Sequence, residues 1–105
     1  MKNVLVEYDD MKTIYQLEII TKVRKLREAN QCSQSQLATY LGLSYGQIGN
    51  IESLRYPQKY TLSQLYRICK LFNIKIEHLF ISDDELSQNV EVMDLLIKKI
   101  IQYEE

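Results

Sequence analysis

Residues 32–57, CSQSQLATYLGLSYGQIGNIESLRYP, carry the pattern from which the rest of the chain is read. Ser33 and Gln36 stand three apart ahead of Leu37, Ala38 and Leu41, and Ser44 and Gln47 stand three apart ahead of Ile48 and Ile51. A hydroxyl residue followed three positions later by Gln or Glu is a capping box, in which each side chain satisfies a backbone N–H that a helix start leaves orphaned. Two short helices are therefore predicted. Gly42 lies between them, where a residue free to take positive φ closes the first helix. Leu43 is a single apolar plug that anchors the turn. Ala38 is small where the second helix must cross the first, and Ile48 and Ile51 turn the second helix inward. Its remaining face, Tyr45, Gly46, Gln47, Gly49, Asn50 and Ser53, is left free.

The same box recurs at Thr13–Gln16, Thr61–Gln64 and Ser82–Glu85. The first predicts a helix over 13–29 with Ile14, Leu17, Ile20, Val23 and Leu26 inward at spacings of three. The second predicts a helix over 61–72 burying Leu62, Leu65, Ile68, Cys69 and Phe72. A short helix near 75–80 presents Ile76, Leu79 and Phe80, and residues 54–60 form a loop around Pro57. Residues 3–8, Asn-Val-Leu-Val-Glu-Tyr, are strand-like but short. Residues 90–103 form a helix with Glu91, Asp94, Lys98 and Gln102 in one narrow stripe and apolar residues over nearly all the rest. That coverage is wider than one face of a small domain buries. The expected fold is all-α: an N-terminal segment over 1–12, a five-helix domain over 13–81 and a C-terminal helix within 82–105.

Composition agrees with helix over sheet, since glycine (3) and proline (1) are scarce in 105 residues. No apolar run approaches the roughly 20 residues that cross a bilayer, and MKNVLVEYDD lacks the apolar core of a secretion signal. A cytoplasmic location without a membrane partner is expected. Cys32 and Cys69 have no Cys or His at metal-ligand spacing and read as small hydrophobes. The lone histidine, His78, sits in a short peripheral helix where a structural role is expected. No Ser/His/Asp or Cys/His constellation and no phosphate-cradling glycine loop is present. The chain is not expected to be an enzyme or to hold a metal or cofactor.

Net charge is −1, but it is unevenly spread. Residues 20–75 carry a balance of +7, residues 1–19 one of −2 and residues 76–105 one of −6. A basic middle between acidic ends points to a polyanion partner for the middle. Two helices joined by a tight turn, with a polar outer face on the second, are the elements that place a helix in the DNA major groove.

The stretch resembles the phage-repressor and xenobiotic-response-element class of helix-turn-helix regulators. The resemblance rests on Ser33-Gln34, Leu37-Ala38, Gly42-Leu43, Ser44, Ile48 and Ile51-Glu52, with KVRKLREAN upstream and TLSQLYRICKLFNIKIEHLF downstream, and covers residues 17–80. It implies a five-helix repressor-like domain and a sequence-specific transcriptional regulator, a repressor, on a double-stranded operator. It implies base contacts from Tyr45, Gly46, Gln47 and Asn50, of which Asn and Gln suit adenine. Phosphate contacts are implied for Gln34, Ser53, Arg55, Lys59 and Tyr60. Arg27 and Glu52 match a pair that joins the first helix to the third. Two departures stand out: Leu54 occupies a place usually held by glycine, and Gly46 and Gly49 lie inside the reading helix at a cost of about 1 kcal/mol each relative to alanine.

Two questions stay open at this level. The chain either forms a homodimer assembled largely through residues 85–103, or its helix over 90–103 folds back over helices one and five of its own chain. A second function class is an antitoxin-type autoregulator, whose acidic termini would bind a protein partner.

Overall fold

The computed structural model describes residues 11–88 and 91–105. The strand-like stretch at 3–8 and Val90, the expected start of the C-terminal helix, lie outside the described residues. Among the described residues seven helices follow one another: α1 (Ile14–Ala29), α2 (Gln34–Leu41), α3 (Tyr45–Glu52), α4 (Leu62–Leu71), α5 (Ile76–Phe80), α6 (Asp83–Leu86) and α7 (Val92–Glu104). No strand occurs among the described residues.

All five capping boxes form with both arms in place, at the starts of α1, α2, α3, α4 and α6. Three helix ends share another device. After α1, α2 and α4 a residue adopts positive φ: Gln31 (55°), Gly42 (73°) and Asn73 (56°). The amide of the next residue then reaches back five positions, Cys32 to Arg27, Leu43 to Ala38 and Ile74 to Cys69, at 2.8–2.9 Å. These bonds satisfy carbonyls that a helix end orphans. Only Gly42 does so without a Cβ penalty.

The core of α1 differs from the expected face. Gln16, Ile19, Ile20, Val23 and Arg27 are buried, Leu17 and Leu26 are half-buried, and Ile14 is exposed. Each step of three falls about 60° short of a full turn, so five residues at that spacing spiral off any one face. The true face alternates steps of three and four. In α4, Leu65, Ile68 and Cys69 are buried, Phe72 just beyond its end is half-buried, and Leu62 in its first turn is exposed. Burial pushes the Cys69 thiol up to about 11, which keeps it protonated and inert.

Around this core α2 packs on α3, α3 on α1, and α4 on α5. The last helix folds back over α1 and α5 of its own chain. Leu95, Leu96 and Ile100 pack partly buried against the core, and Tyr103 is fully buried with its ring edge-on to Phe80 at 5.9 Å. Its hydroxyl donates to the carbonyl of Tyr60 at 2.7 Å. The helix is thus half core element. Its other face, with Met93, Ile97 and Ile101 at 66, 50 and 53 % exposure, remains uncovered.

Candidate nucleic-acid interface

Helix α3 is held from behind by an ion pair. Arg27 on α1 and Glu52 on α3 form a two-pronged contact, Nε to Oε2 at 2.9 Å and Nη2 to Oε1 at 3.0 Å. Their side chains are only 9 and 4 % exposed. The third guanidinium nitrogen donates to the Cys32 carbonyl at 2.9 Å, so the same arginine also grips the turn before α2. Gln34 completes the carboxylate's shell, donating from Nε2 to Glu52 Oε1 at 2.8 Å. The hydrogen bond to Glu52 is the largest cause holding the Arg27 pKa above its usual value. Planar, paired and hydrogen-bonded on both sides, the two groups fix α3 against α1 and α2 in one geometry.

With its inner side so fixed, α3 presents the expected outer face. Tyr45 is exposed in the first turn, Gly46 and Gln47 are exposed beside it, and Asn50 is half-exposed one turn on. Asn50 makes no side-chain hydrogen bond among the described residues, so both ends of its amide are available. Gln47 differs: its Oε1 accepts from the Ser44 amide at 2.8 Å. A two-pronged adenine contact through Gln47 would therefore require its capping box to open. At Gly46 and Gly49 an added Cβ would meet nothing within 4 Å, so nothing among the described residues demands glycine there.

The residues expected at the phosphates divide. Arg55 is exposed, and Ser53 beside it is half-buried, its hydroxyl accepting the Arg55 amide at 3.1 Å. Tyr60 is corrected: it is fully buried, and burial drives its phenol pKa upward. Its hydroxyl has no partner among the described residues. Lys59 is half-buried and already partnered. Its ammonium sits on the carbonyls of Tyr103 (3.1 Å) and Glu104 (3.2 Å), at the negative end of the α7 dipole. The reason is common to both. The C-terminal helix docks against residues 59–60, a long-range contact that sequence spacing within the first five helices does not reveal.

The basic band of residues 20–75 is largely turned to internal use. Lys22 donates to the Leu79 carbonyl, and Arg67 to those of Tyr40 and Leu41. Arg24 pairs with Glu28, and Lys70 lies over the Tyr66 ring. Among the described residues Lys25, Arg55 and Lys75 are left without a partner. Sequence reading missed this division, because charge counts do not say which carbonyls a lysine will meet.

It also missed Lys12. This side chain is 6 % exposed and its ammonium donates to three carbonyls, of Asn50 (3.3 Å), Ser53 (2.5 Å) and Tyr56 (2.6 Å). It closes the end of α3. No pattern near Lys12 in the sequence announces a partner some forty positions away.

A family model described as helix-turn-helix matches residues 23–79. An uncharacterized HTH-type transcriptional regulator of Archaeoglobus fulgidus is 35 % identical over 65 residues, 62 % of this chain and 90 % of that protein. No solved structure matches. Among the described residues no helix is long and apolar enough to cross a membrane.

Proposed function

The chain belongs to the helix-turn-helix family whose model spans residues 23–79, and on that footing we propose that it is a sequence-specific transcriptional repressor that reads the major groove with α3. The observation that carries this reading is the contrast between the two sides of α3. One side is locked by the Arg27–Glu52 pair, and the other leaves Tyr45, Gly46 and Gln47 exposed and Asn50 half-exposed with no side-chain hydrogen bond among the described residues. Asn50 is the principal base reader, its amide suited to adenine N6 and N7. Gln47, with Oε1 held in its capping box, keeps an N–H donor for an acceptor edge. Arg55 and Ser53, with the amides of the first turn of α2 at Gln34, meet the phosphates and set register.

Repression asks only that the site be occupied, and a homodimer joined through the uncovered face of α7 would occupy it with two-fold symmetry. Such a protein acts beside the chromosome, in the cytoplasm. With few unpartnered cations in the basic band among the described residues, binding should depend weakly on salt. A slope of about 1–3 phosphates per protomer is expected, against the 6–10 of strongly electrostatic binders.

The test is selection of bound duplexes from a random library by the full chain, followed by titration of the enriched duplex. Asn50→Ala should weaken that binding by about 1–3 kcal/mol and release preference at one base position. If affinity and preference were both unchanged, α3 would not be the reading element.

Gly49→Ala probes the backbone of the same face. The added methyl enters open space, so the free chain should gain about 0.5–1 kcal/mol in thermal or urea unfolding. Affinity for the enriched duplex should fall at the same time, because the methyl stands where DNA approaches. A variant both more stable and equally tight would remove DNA as the reason for glycine there.

A further inference from the structure

Four helix ends lie in the domain matched by the family, and one of them is closed differently from the others. The ends of α1, α2 and α4 satisfy their carbonyls through a positive-φ residue and an amide that reaches back. The end of α3 has no positive-φ residue, and its cap amide, that of Ser53, reaches back only three positions, to the Asn50 carbonyl at 3.2 Å. Its cap, Ser53, is extended (φ −87°, ψ 144°), and the chain leaves through Leu54 with no positive-φ residue before Tyr60. The carbonyls of Asn50, in the last turn, and of Ser53 and Tyr56, beyond it, converge instead on the Lys12 ammonium.

We infer that Lys12 is a positioning residue for sequence reading, its ammonium setting the angle at which the end of α3 and residues 53–56 meet DNA. The inference rests on the reading of α3 as the DNA-facing helix. A cation at this place suits the negative end of the helix dipole. Three carbonyls saturate its three N–H donors, so it is bound as a geometric hub and not as a diffuse charge. No carboxylate shares the site among the described residues, and burial lowers the Lys12 pKa. Among the described residues these oxygens alone hold the ammonium. One of the three belongs to Asn50, the residue assigned to base reading, and the other two flank Arg55.

Lys12 is itself anchored. Thr13, its neighbour, caps α1 through Gln16. The Gln16 amide in turn donates to the Tyr103 carbonyl at 2.6 Å. The end of α3 is thereby referred to the start of α1 and the end of α7, two elements that do not touch DNA in this reading. Arg27 and Glu52 fix the inner side of α3; Lys12 fixes its tip.

The experiment compares the full wild-type chain with Lys12→Met, which keeps the aliphatic stem, and Lys12→Arg, which keeps the charge but cannot place three N–H groups in the same tripod. Each is titrated with the duplex enriched by the wild type and with random-sequence duplex, and its fold is checked by circular dichroism and thermal unfolding. Lys12→Met should bind random duplex within about twofold of wild type and enriched duplex about tenfold or more weakly. Lys12→Arg should fall between. A folded variant whose ratio of enriched to random affinity equals that of the wild type overturns the inference, because a purely structural lysine would alter both affinities together. If Lys12→Met does not fold, the same ratio measured on Lys12→Arg decides. A wild-type chain that enriches no sequence fails earlier, and removes the reading of α3 itself.

Discussion

Replacing Arg27 with methionine should destabilise the fold by about 3–5 kcal/mol, a large part of the roughly 5–15 kcal/mol that holds a domain of this size together. The magnitude follows from what is left behind. Glu52 would keep only the Gln34 amide as a partner while remaining 4 % exposed. An unpaired carboxylate in that position must either protonate or draw α3 outward. Replacing both partners is a different case. Arg27→Met combined with Glu52→Leu removes the orphaned charge as well as the pair, and buried pairs exchanged for apolar groups are often neutral. The double variant should therefore recover most of the lost stability, giving a coupling energy of several kcal/mol in a cycle of urea unfolding. Its DNA selectivity should not recover, because no directed contact then fixes the rotation of α3. A single variant within about 1 kcal/mol of wild type would mean that the pair is solvated in solution.

Local chemistry was legible in the sequence, and long-range partnership was not. Every hydroxyl–Gln or hydroxyl–Glu box marks a helix start in the structure, because both halves of that interaction lie within four residues. Gly42 could be placed for a similar reason. Gln31, at the same kind of turn, could not, since a glutamine there is tolerated at some strain and carries no distinctive letter, whereas Asn73 is a residue type that tolerates positive φ. The face of α1 went astray when a spacing of three stood in for the helical period. Within the candidate site, the outer residues of α3 could be named because exclusion from the core is a matter of helical angle. Lys12, Lys59 and Tyr60 could not be placed. Their positions depend on where α7 returns and on which carbonyls lie open at helix ends, neither of which a charge count records. The same limit explains why a band of +7 leaves only Lys25, Arg55 and Lys75 without partners among the described residues.

Ile97→Glu should convert a dimer into a monomer without unfolding it, and should lower apparent affinity for a two-fold operator by about 10²–10⁴. The reasoning begins with the two faces of α7. Leu95, Leu96, Ile100 and Tyr103 turn toward the core. Met93, Ile97 and Ile101, four residues apart, form a stripe on the other side, bordered by the exposed Asp94–Lys98 pair at 3.0 Å. An apolar stripe rimmed by charge is the pattern of an interface that excludes water at its centre and tolerates it at its edge. Deleting the helix would be a poor test, because it would also remove Tyr103 from beside Phe80 and take the carbonyl partners from Lys59 and Gln16. Ile97 is half exposed already, so a glutamate there disturbs the stripe and spares the core. The end of α7 lies against residues 59–60, which close the loop that leaves α3. A partner docked on the stripe would thus hold two reading helices at a fixed separation, matching half-sites about 10 base pairs apart. Sedimentation of the wild type and Ile97→Glu across a concentration series, with titration of an enriched two-fold duplex, measures both effects. Should Ile97→Glu sediment as a dimer, the stripe is not the interface; should the wild type stay monomeric at high concentration, the pairing itself is wrong.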